Sequence, residues 1–398
     1  MSPPLPVKFL PSGIAIVLIL HALMFYGLPL PLLLVIWLAL VTWLSWAGPI
    51  PSLLTASALA GFTLLLNLVI GMAGIEQGIY YRPHELLKYT HPEFGEVFRP
   101  NTRFSMEAQF GDIEATEKAG IREPHVISYV TDGLGFRNPA DFQGQRFVLV
   151  GDSFLAGAND TESCLITEWL RRDHGLDAYN LGFPGDMNDY VSRIEAFRKA
   201  NGSDFKLALF VYEGNDFRPF THRPQEKLTP LKHYHEFFKD SSLWRYTRWL
   251  YLRAVKKQEG NNHSPFVRKV GDNEMAFLKT ERPIAHNATS LDESSLHFAD
   301  AFRILRPNLV QVFFIPVKYR VYAQWLTDAS LPNEQWTYLS SAAAQAGIPA
   351  YDLTQALAQE ATRLLPEGRY VYWRDDTHWN CLGMRAVAAP VAAQLRPR

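Results

Sequence analysis

The sequence predicts an α/β domain, three layers deep (α/β/α) around a parallel sheet, behind an apolar N-terminal region and a short β-rich lead-in. Three observations predict it. The 398-residue chain carries 39 Lys+Arg and 40 Asp+Glu, yet from Phe9 to Ile75 it contains none of the four. Beyond about residue 140, apolar runs of strand length alternate with stretches of helix length, the rhythm of parallel strands joined by crossover helices. Between these regions, residues 76–139 are rich in Gly, Pro and aromatic residues and lack long helical patterns.

The first region, residues 1–75, reads as about three transmembrane helices. Gly27-Leu28-Pro29-Leu30-Pro31 and Gly48-Pro49-Ile50-Pro51 divide it into segments near 12–27, 30–47 and 52–73. A spanning helix needs about 17–25 apolar residues, which the second and third supply and the first barely does. The charge-free stretch is too long for a cleaved signal peptide, whose apolar part runs to about 7–15 residues. Trp37, Trp43 and Trp46 suit interfacial anchors. Lys8 precedes the first segment while Arg82 and Lys88 follow the third, so the basic-residue rule gives little direction. Three spans from a cytoplasmic N-terminus put the large domain outside the bacterial inner membrane, in the periplasm; two spans put it inside.

The lead-in offers strands at about 103–106 and 126–130. The domain from 140 to 398 then reads as strand 146–150, helix 161–174, strand 177–181, helix 187–200, strand 206–212, strand 308–316, strand 350–353 and helix 382–395. Residues 217–300 break the rhythm and read as an insertion. Within it, Ser241–Lys257 is aromatic and basic at helical spacing. We read it as a helix packed on protein with its arginines snorkelling, rather than one lying at a membrane interface.

Composition excludes several classes. A formal net charge of −1 gives no electrostatic footprint for nucleic acid. Two cysteines, Cys164 and Cys381, rule out a disulfide-dense scaffold and a Cys₄ zinc site, and leave one disulfide between them open. Cys381, close to His378, reads as a packed thiol. His222, His233 and His235 lack the companion ligands of a metal site, so neither metal nor cofactor is expected. Asn201, Asn262 and Asn287 stand in N-x-Ser/Thr triplets, which arise readily by chance.

Four short blocks carry the chemistry, each at the carboxyl end of an expected strand or in the last loop, where open α/β sheets place their sites. Gly151-Asp152-Ser153-Phe154 puts a hydroxyl between strand and helix. Asn180-Leu181-Gly182-Phe183-Pro184-Gly185-Asp186 offers an unobstructed amide at Gly185. Glu213-Gly214-Asn215-Asp216 offers a side-chain amide. Asp375-Asp376-Thr377-His378-Trp379-Asn380 offers a base and a carboxylate to orient it. Singly, each fits a turn, a helix cap or a surface loop. Together they supply nucleophile, base, orienting acid and oxyanion donors for acyl transfer.

On these four blocks, residues 140–398 resemble the SGNH (GDSL-type) hydrolases. The resemblance implies Ser153 as nucleophile, His378 as general base, and Ser153 N–H, Gly185 N–H and Asn215 as oxyanion donors. The family's usual acid, three residues before the histidine, selects Asp375. Asp376-Thr377-His378-Trp379 instead resembles the alginate-type O-acetyltransferases, whose acid lies two residues before the histidine, and this selects Asp376. Those relatives usually carry the Asp/His block ahead of the serine block, whereas this chain has the hydrolase order. Pro316-Val317-Lys318-Tyr319 is similar to a Pro-Ser-Lys-aromatic segment of the same acetyltransferases. Arg99-Pro100-Asn101 and Asp132-Gly133-Leu134-Gly135-Phe136-Arg137-Asn138 resemble segments of membrane-anchored bacterial SGNH proteins.

The expectation is a membrane-anchored serine esterase acting on an acyl, chiefly acetyl, ester of an extracytoplasmic glycan or lipid-linked substrate. The alternative is an O-acetyltransferase of a cell-surface polysaccharide, served by a separate membrane partner that supplies the acyl group.

Overall fold

The computed structural model describes residues 61, 64–73, 82–222, 241–246, 266–287, 296–326 and 331–396. The chain divides into two compact units, one of residues 1–79 and 229–260, the other of 80–228 and 261–398.

In the first unit, residues 64–72 are helical. Leu64, Leu65, Leu68, Val69 and Met72 are exposed while Ile70 is buried. Asn67 Oδ1 accepts from Leu243 N at 2.9 Å, which ties this helix to the short helical stretch at 242–246. The transmembrane expectation finds no support here: among the described residues no helix is long and apolar enough to cross a membrane. At 1.5 Å rise per residue, 64–72 covers roughly half of a ~30 Å hydrocarbon core. The expected segments 12–27 and 30–47, with 52–60 and 62–63 of the third, lie outside the described residues, as does 247–257 of the expected basic helix.

The second unit opens with the lead-in. Helix α1 (Pro83–Leu87) precedes an antiparallel pair, β1 (Lys88–His91) and β2 (Gly95–Phe98). A second antiparallel pair, β3 (Arg103–Ala108) and β4 (His125–Val130), brackets helix α2 (Asp112–Glu117). The lead-in thus contains two antiparallel strand pairs. The pairs are folded onto the domain: Val97, Phe98, Ile127, Tyr129 and Phe136 share one buried cluster with the sheet and its helices.

The main sheet follows. Its chain order runs β5 (Phe147–Val150), helix α3 (Ile166–His174), β6 (Ala178–Asn180), helix α4 (Met187–Asn201) and β7 (Lys206–Tyr212). An antiparallel hairpin, β8 (Phe266–Val270) and β9 (Asn273–Phe277), helix α5 (Glu281–Ala285) and helix α6 (Phe298–Leu305) come next. The rest is β10 (Leu309–Ile315), helix α7 (Lys318–Tyr322), helix α8 (Glu334–Gln345), β11 (Ala350–Asp352), helix α9 (Thr354–Leu364) and helix α10 (Cys381–Leu395).

The five strands lie in the order β11-β10-β7-β5-β6, all parallel. Side chains alternate by the two-residue period of a strand. Val148, Val150, Leu207, Leu209, Val211 and Phe314 face one cluster with Tyr190, Ile194 and Phe197 of α4, Phe302 of α6 and Leu339 of α8. Phe147, Leu149, Ala208, Phe210, Phe313 and Ile315 face the other, with Leu170 of α3, Leu357 of α9 and Val387 of α10. Covered on both faces, these strands can be wholly apolar, as the unbroken run from Leu207 to Tyr212 is. The strand order reverses between β5 and β7, and their carboxyl ends open the crevice where such sheets take ligands.

Candidate active site

All four blocks reach that crevice, the second through Pro184 alone. Ser153 follows β5, the 213–216 turn follows β7, and the loop 371–380 comes in from the end of the chain. A cavity of about 220 Å³ is lined by Ser153, Phe154, Tyr212, Asn215 and His378 among others. Asp152 sets the serine turn by accepting from Phe154 N at 2.9 Å. Arg193, buried in α4, donates to the carbonyls of Leu181 and Phe183, which anchors the second block. That block ends in the capping box of α4, where Asp186 accepts from Asn188 N and Asp189 from Asp186 N.

Ser153, His378 and Asp376 form a continuous hydrogen-bonded chain. His378 Nε2 lies 2.7 Å from Ser153 Oγ, and Nδ1 lies 2.6 Å from Asp376 Oδ1. With Asp376 as acceptor, Nδ1 carries a proton and Nε2 is the nitrogen left to take one from serine. Asp376 also accepts from its own loop at His378 N (2.9 Å), from Asp112 N (2.7 Å) and from Asn159 Nδ2. Burial would raise its pKa, but the His378 charge and these hydrogen bonds hold it well below the usual carboxylate range. Burial pulls His378 down, yet Asp376 and then Asp112 bring it above its ordinary value.

Asp375 does not touch the histidine. Its Oδ2 accepts from Gly111 N at 2.8 Å and Glu123 N at 3.0 Å, which fastens the loop to the lead-in. The two neighbouring carboxylates that sequence left as alternatives are thus separated by geometry: Asp376 contacts the ring and Asp375 contacts backbone.

The expected oxyanion donors are placed unevenly. Asn215 lines the cavity, held between Glu213, paired to Arg320 at 2.6 Å, and Asp216, which accepts from Tyr212 N and Tyr190 Oη. Ser153 N has no hydrogen-bond partner among the described residues and so is free to donate. Pro184 lines the cavity, and Gly185 beside it does not.

Several contributors lie outside the four blocks. Lys318 is wholly buried, and its Nζ donates into the carbonyls of Ala276 (2.6 Å), Trp373 (2.7 Å), Asp376 (3.0 Å) and Arg374 (3.1 Å), so one ammonium gathers the acid loop. Burial lowers its pKa to about 8, against the pull of Glu281, Asp375 and Asp376. Asp112 accepts from Thr377 N and Oγ1 at 2.8 and 2.6 Å and pairs with Arg82 at 3.2 Å. Arg137 is buried and donates to the carbonyls of Ala156, Gly157 and Asp160, fixing the loop that presents Asn159. Asn138 pairs with the backbone of Asn180 through both amide atoms. The Asp132–Asn138 segment and Lys318 were visible in the sequence as motifs. Asp112, Asn159, Arg82 and the cavity wall of Leu278, Thr280, Glu281 and Ile284 carried no sequence signal, being single residues in stretches without a pattern.

Ligand-type atoms of Asp112, Asp376 and His378 lie within 4.8 Å of one another. All three residues are already engaged in the contacts above, and a cation here would displace the serine–histidine relay. His222 instead meets Glu195 at 3.1 Å on the surface, and His233 and His235 lie outside the described residues. The packed-thiol reading of Cys381 is corrected, because it forms a disulfide with Cys164. Their Cα atoms are 4.8 Å apart, within disulfide reach, because Cys381 opens α10 where that helix packs on α3, just beyond Cys164.

Residues 283–398 match the family model of the SGNH hydrolase-like domain of the acetyltransferase AlgX. The chain is also 29% identical over 172 residues to the probable alginate O-acetylase AlgJ of Azotobacter vinelandii, a match covering 42% of each protein. It thus spans less than half of that relative's length. On its four blocks and these two matches, the chain carries an SGNH hydrolase-like domain with resemblance to the alginate-type O-acetyltransferases.

Proposed function

We propose that this chain is a serine-dependent O-acyltransferase of an extracytoplasmic polysaccharide, working through an acyl-enzyme on Ser153. The observation that carries the reading is the hydrogen-bonded chain Ser153–His378–Asp376 at the mouth of a cavity. The Ser153 hydroxyl attacks an ester carbonyl carbon as its proton passes to His378 Nε2. Ser153 N–H, the Asn215 amide and, as the family resemblance implies, Gly185 N–H donate to the oxyanion. The C–O bond to the leaving alcohol breaks, and His378 returns the proton to that alcohol. A sugar hydroxyl then gives its proton to His378, attacks the acyl carbon, and releases Ser153, which regains the proton. Water in place of the sugar makes the same site an esterase.

Sequence motifs favour the esterase by block order. The resemblance to an alginate O-acetylase and to the AlgX domain favours transfer, and we adopt that order. Alginate or a related acidic glycan is the acceptor this resemblance suggests. A disulfide belongs to an oxidising compartment, which supports a periplasmic domain; the charge-free N-terminal stretch would be its anchor. A membrane partner would then supply the acyl group.

The test uses the full-length chain, a chromogenic acetate ester as donor, and alginate-derived oligosaccharides as acceptor. Acetylated oligosaccharide formed faster than free acetate supports transfer. Free acetate alone, unaffected by acceptor, returns the esterase reading. No turnover and no labelling of Ser153 by a fluorophosphonate removes both.

A further inference from the structure

We propose that Glu281 is a hydroxyl-recognition residue, donating a hydrogen bond from its free carboxyl oxygen to a saccharide oxygen held in the Ser153 cavity. This rests on the glycan reading above and adds a specificity determinant to it. Glu281 opens α5 in the insertion, outside all four blocks, and it lines the cavity while only 1% exposed. Its Oε2 accepts from Tyr319 N at 3.1 Å. Its Oε1 is buried without a hydrogen-bond partner among the described residues.

A carboxyl group that served only to hold Tyr319 would need one acceptor oxygen, and burying a second without a partner is unfavourable. The unused oxygen makes sense if a ligand meets it. Burial pushes the Glu281 pKa up to about 8, opposed by Lys318 and reinforced by Asp112 and Glu213. At neutral pH the group therefore holds a proton. Because Oε2 is committed as an acceptor, Oε1 carries the proton and acts as a donor. A donor beside the apolar side chains of Leu278 and Ile284 suits a sugar, whose hydroxyl oxygens accept and whose C–H faces pack on aliphatic groups. The neighbouring Thr280, also on the cavity wall, adds a second hydroxyl-compatible group.

The test measures binding with the chemistry switched off. The full-length Ser153→Ala protein is titrated calorimetrically with an alginate-derived pentasaccharide and with cellopentaose at pH 7. Adding Glu281→Leu is expected to weaken binding at least tenfold, whereas adding Glu281→Gln, which keeps one acceptor and one donor, stays within about threefold. Between pH 7 and 9.5 the Glu281 protein is expected to lose affinity as the donor proton leaves, and the Gln version is not. The groups facing Glu281 are Lys318, Asp112, Glu213, Tyr212 and Tyr372, and all are common to both proteins. Equal affinity of the Leu and Glu forms, a pH response shared by the Gln form, or binding of neither saccharide overturns the proposal. Fluorophosphonate labelling of Ser153 in the wild-type chain separates the two claims. Labelling without saccharide binding rejects the role of Glu281 and leaves the Ser153 nucleophile standing, while binding that Glu281→Leu weakens, without labelling, supports Glu281 and rejects the acyl-enzyme.

Discussion

Asp375 and Asp376 are adjacent and chemically identical, and position alone gives them different work. Asp376 accepts from the His378 ring, while Asp375 accepts from two amides of the lead-in. Asp376→Asn is therefore expected to lower kcat by about 10³–10⁴, since an amide no longer fixes the tautomer or offsets the imidazolium charge. Asp375→Asn should cost at least tenfold less, which steady-state kinetics on the acetate ester will show. Asn215→Ala should cost about 10²–10³ in kcat, with KM for the ester little changed. The pH profile follows from His378. In the proposed mechanism its neutral form is the base, and its pKa sits above the ordinary value, so kcat/KM should fall as pH drops through that raised value. Asp376→Asn removes the strongest influence raising it, and the limb should then move to lower pH. At this scale the sequence singled out Ser153, Asn215 and His378, which line one cavity, because each stands in a short block at the end of a strand or in the last loop. It could not separate two adjacent aspartates, because that choice depends on which way a loop turns.

At the scale of elements, the acid loop is held from three directions. Lys318 gathers its carbonyls, Gly111 and Asp112 grip its carboxylates, and α10 continues from it under an Asn380 cap. Gly111 has no room for a side chain: a Cβ there would come within 2.5 Å of Asp376 Cβ and 2.6 Å of the Asp375 carbonyl. Gly111→Ala should displace Asp376 and lower kcat by about tenfold or more with the ester, while the fold persists by circular dichroism. The disulfide is a second brace, joining segments 217 residues apart. Replacing both cysteines by serine should lower Tm by about 4–10 °C, read by thermal denaturation. The five strands of the main sheet and helices α4 and α10 were legible to within a residue or so, because buried strands read as apolar runs, whereas α6, α7, α8 and α9 were not expected and α3 begins at Ile166 rather than 161. The lead-in's grip on the loop was not, because it works through backbone amides, which leave no mark in the sequence.

At the scale of the molecule, chain order and spatial order diverge. The serine turn and the histidine loop are more than two hundred residues apart in sequence, yet the sheet's reversal between β5 and β7 brings both to one crevice. The insertion, which broke the strand–helix rhythm, supplies one wall of the cavity through residues 278–284. The charge-free N-terminal stretch remains a sequence observation that bears on where the domain works. A C-terminal alkaline phosphatase reporter fused to the full chain should be active if that end lies in the periplasm, and inactive if it lies in the cytoplasm. The central claim is that Ser153 carries the acyl group. The most direct measurement is mass spectrometry of the full-length chain, quenched in acid after mixing with the acetate ester. A +42 Da adduct is expected on the Ser153 peptide, as acetyl replaces a proton, absent in Ser153→Ala and discharged when an oligosaccharide acceptor is added. Turnover with an unmodified Ser153, or undiminished turnover in Ser153→Ala, would contradict it.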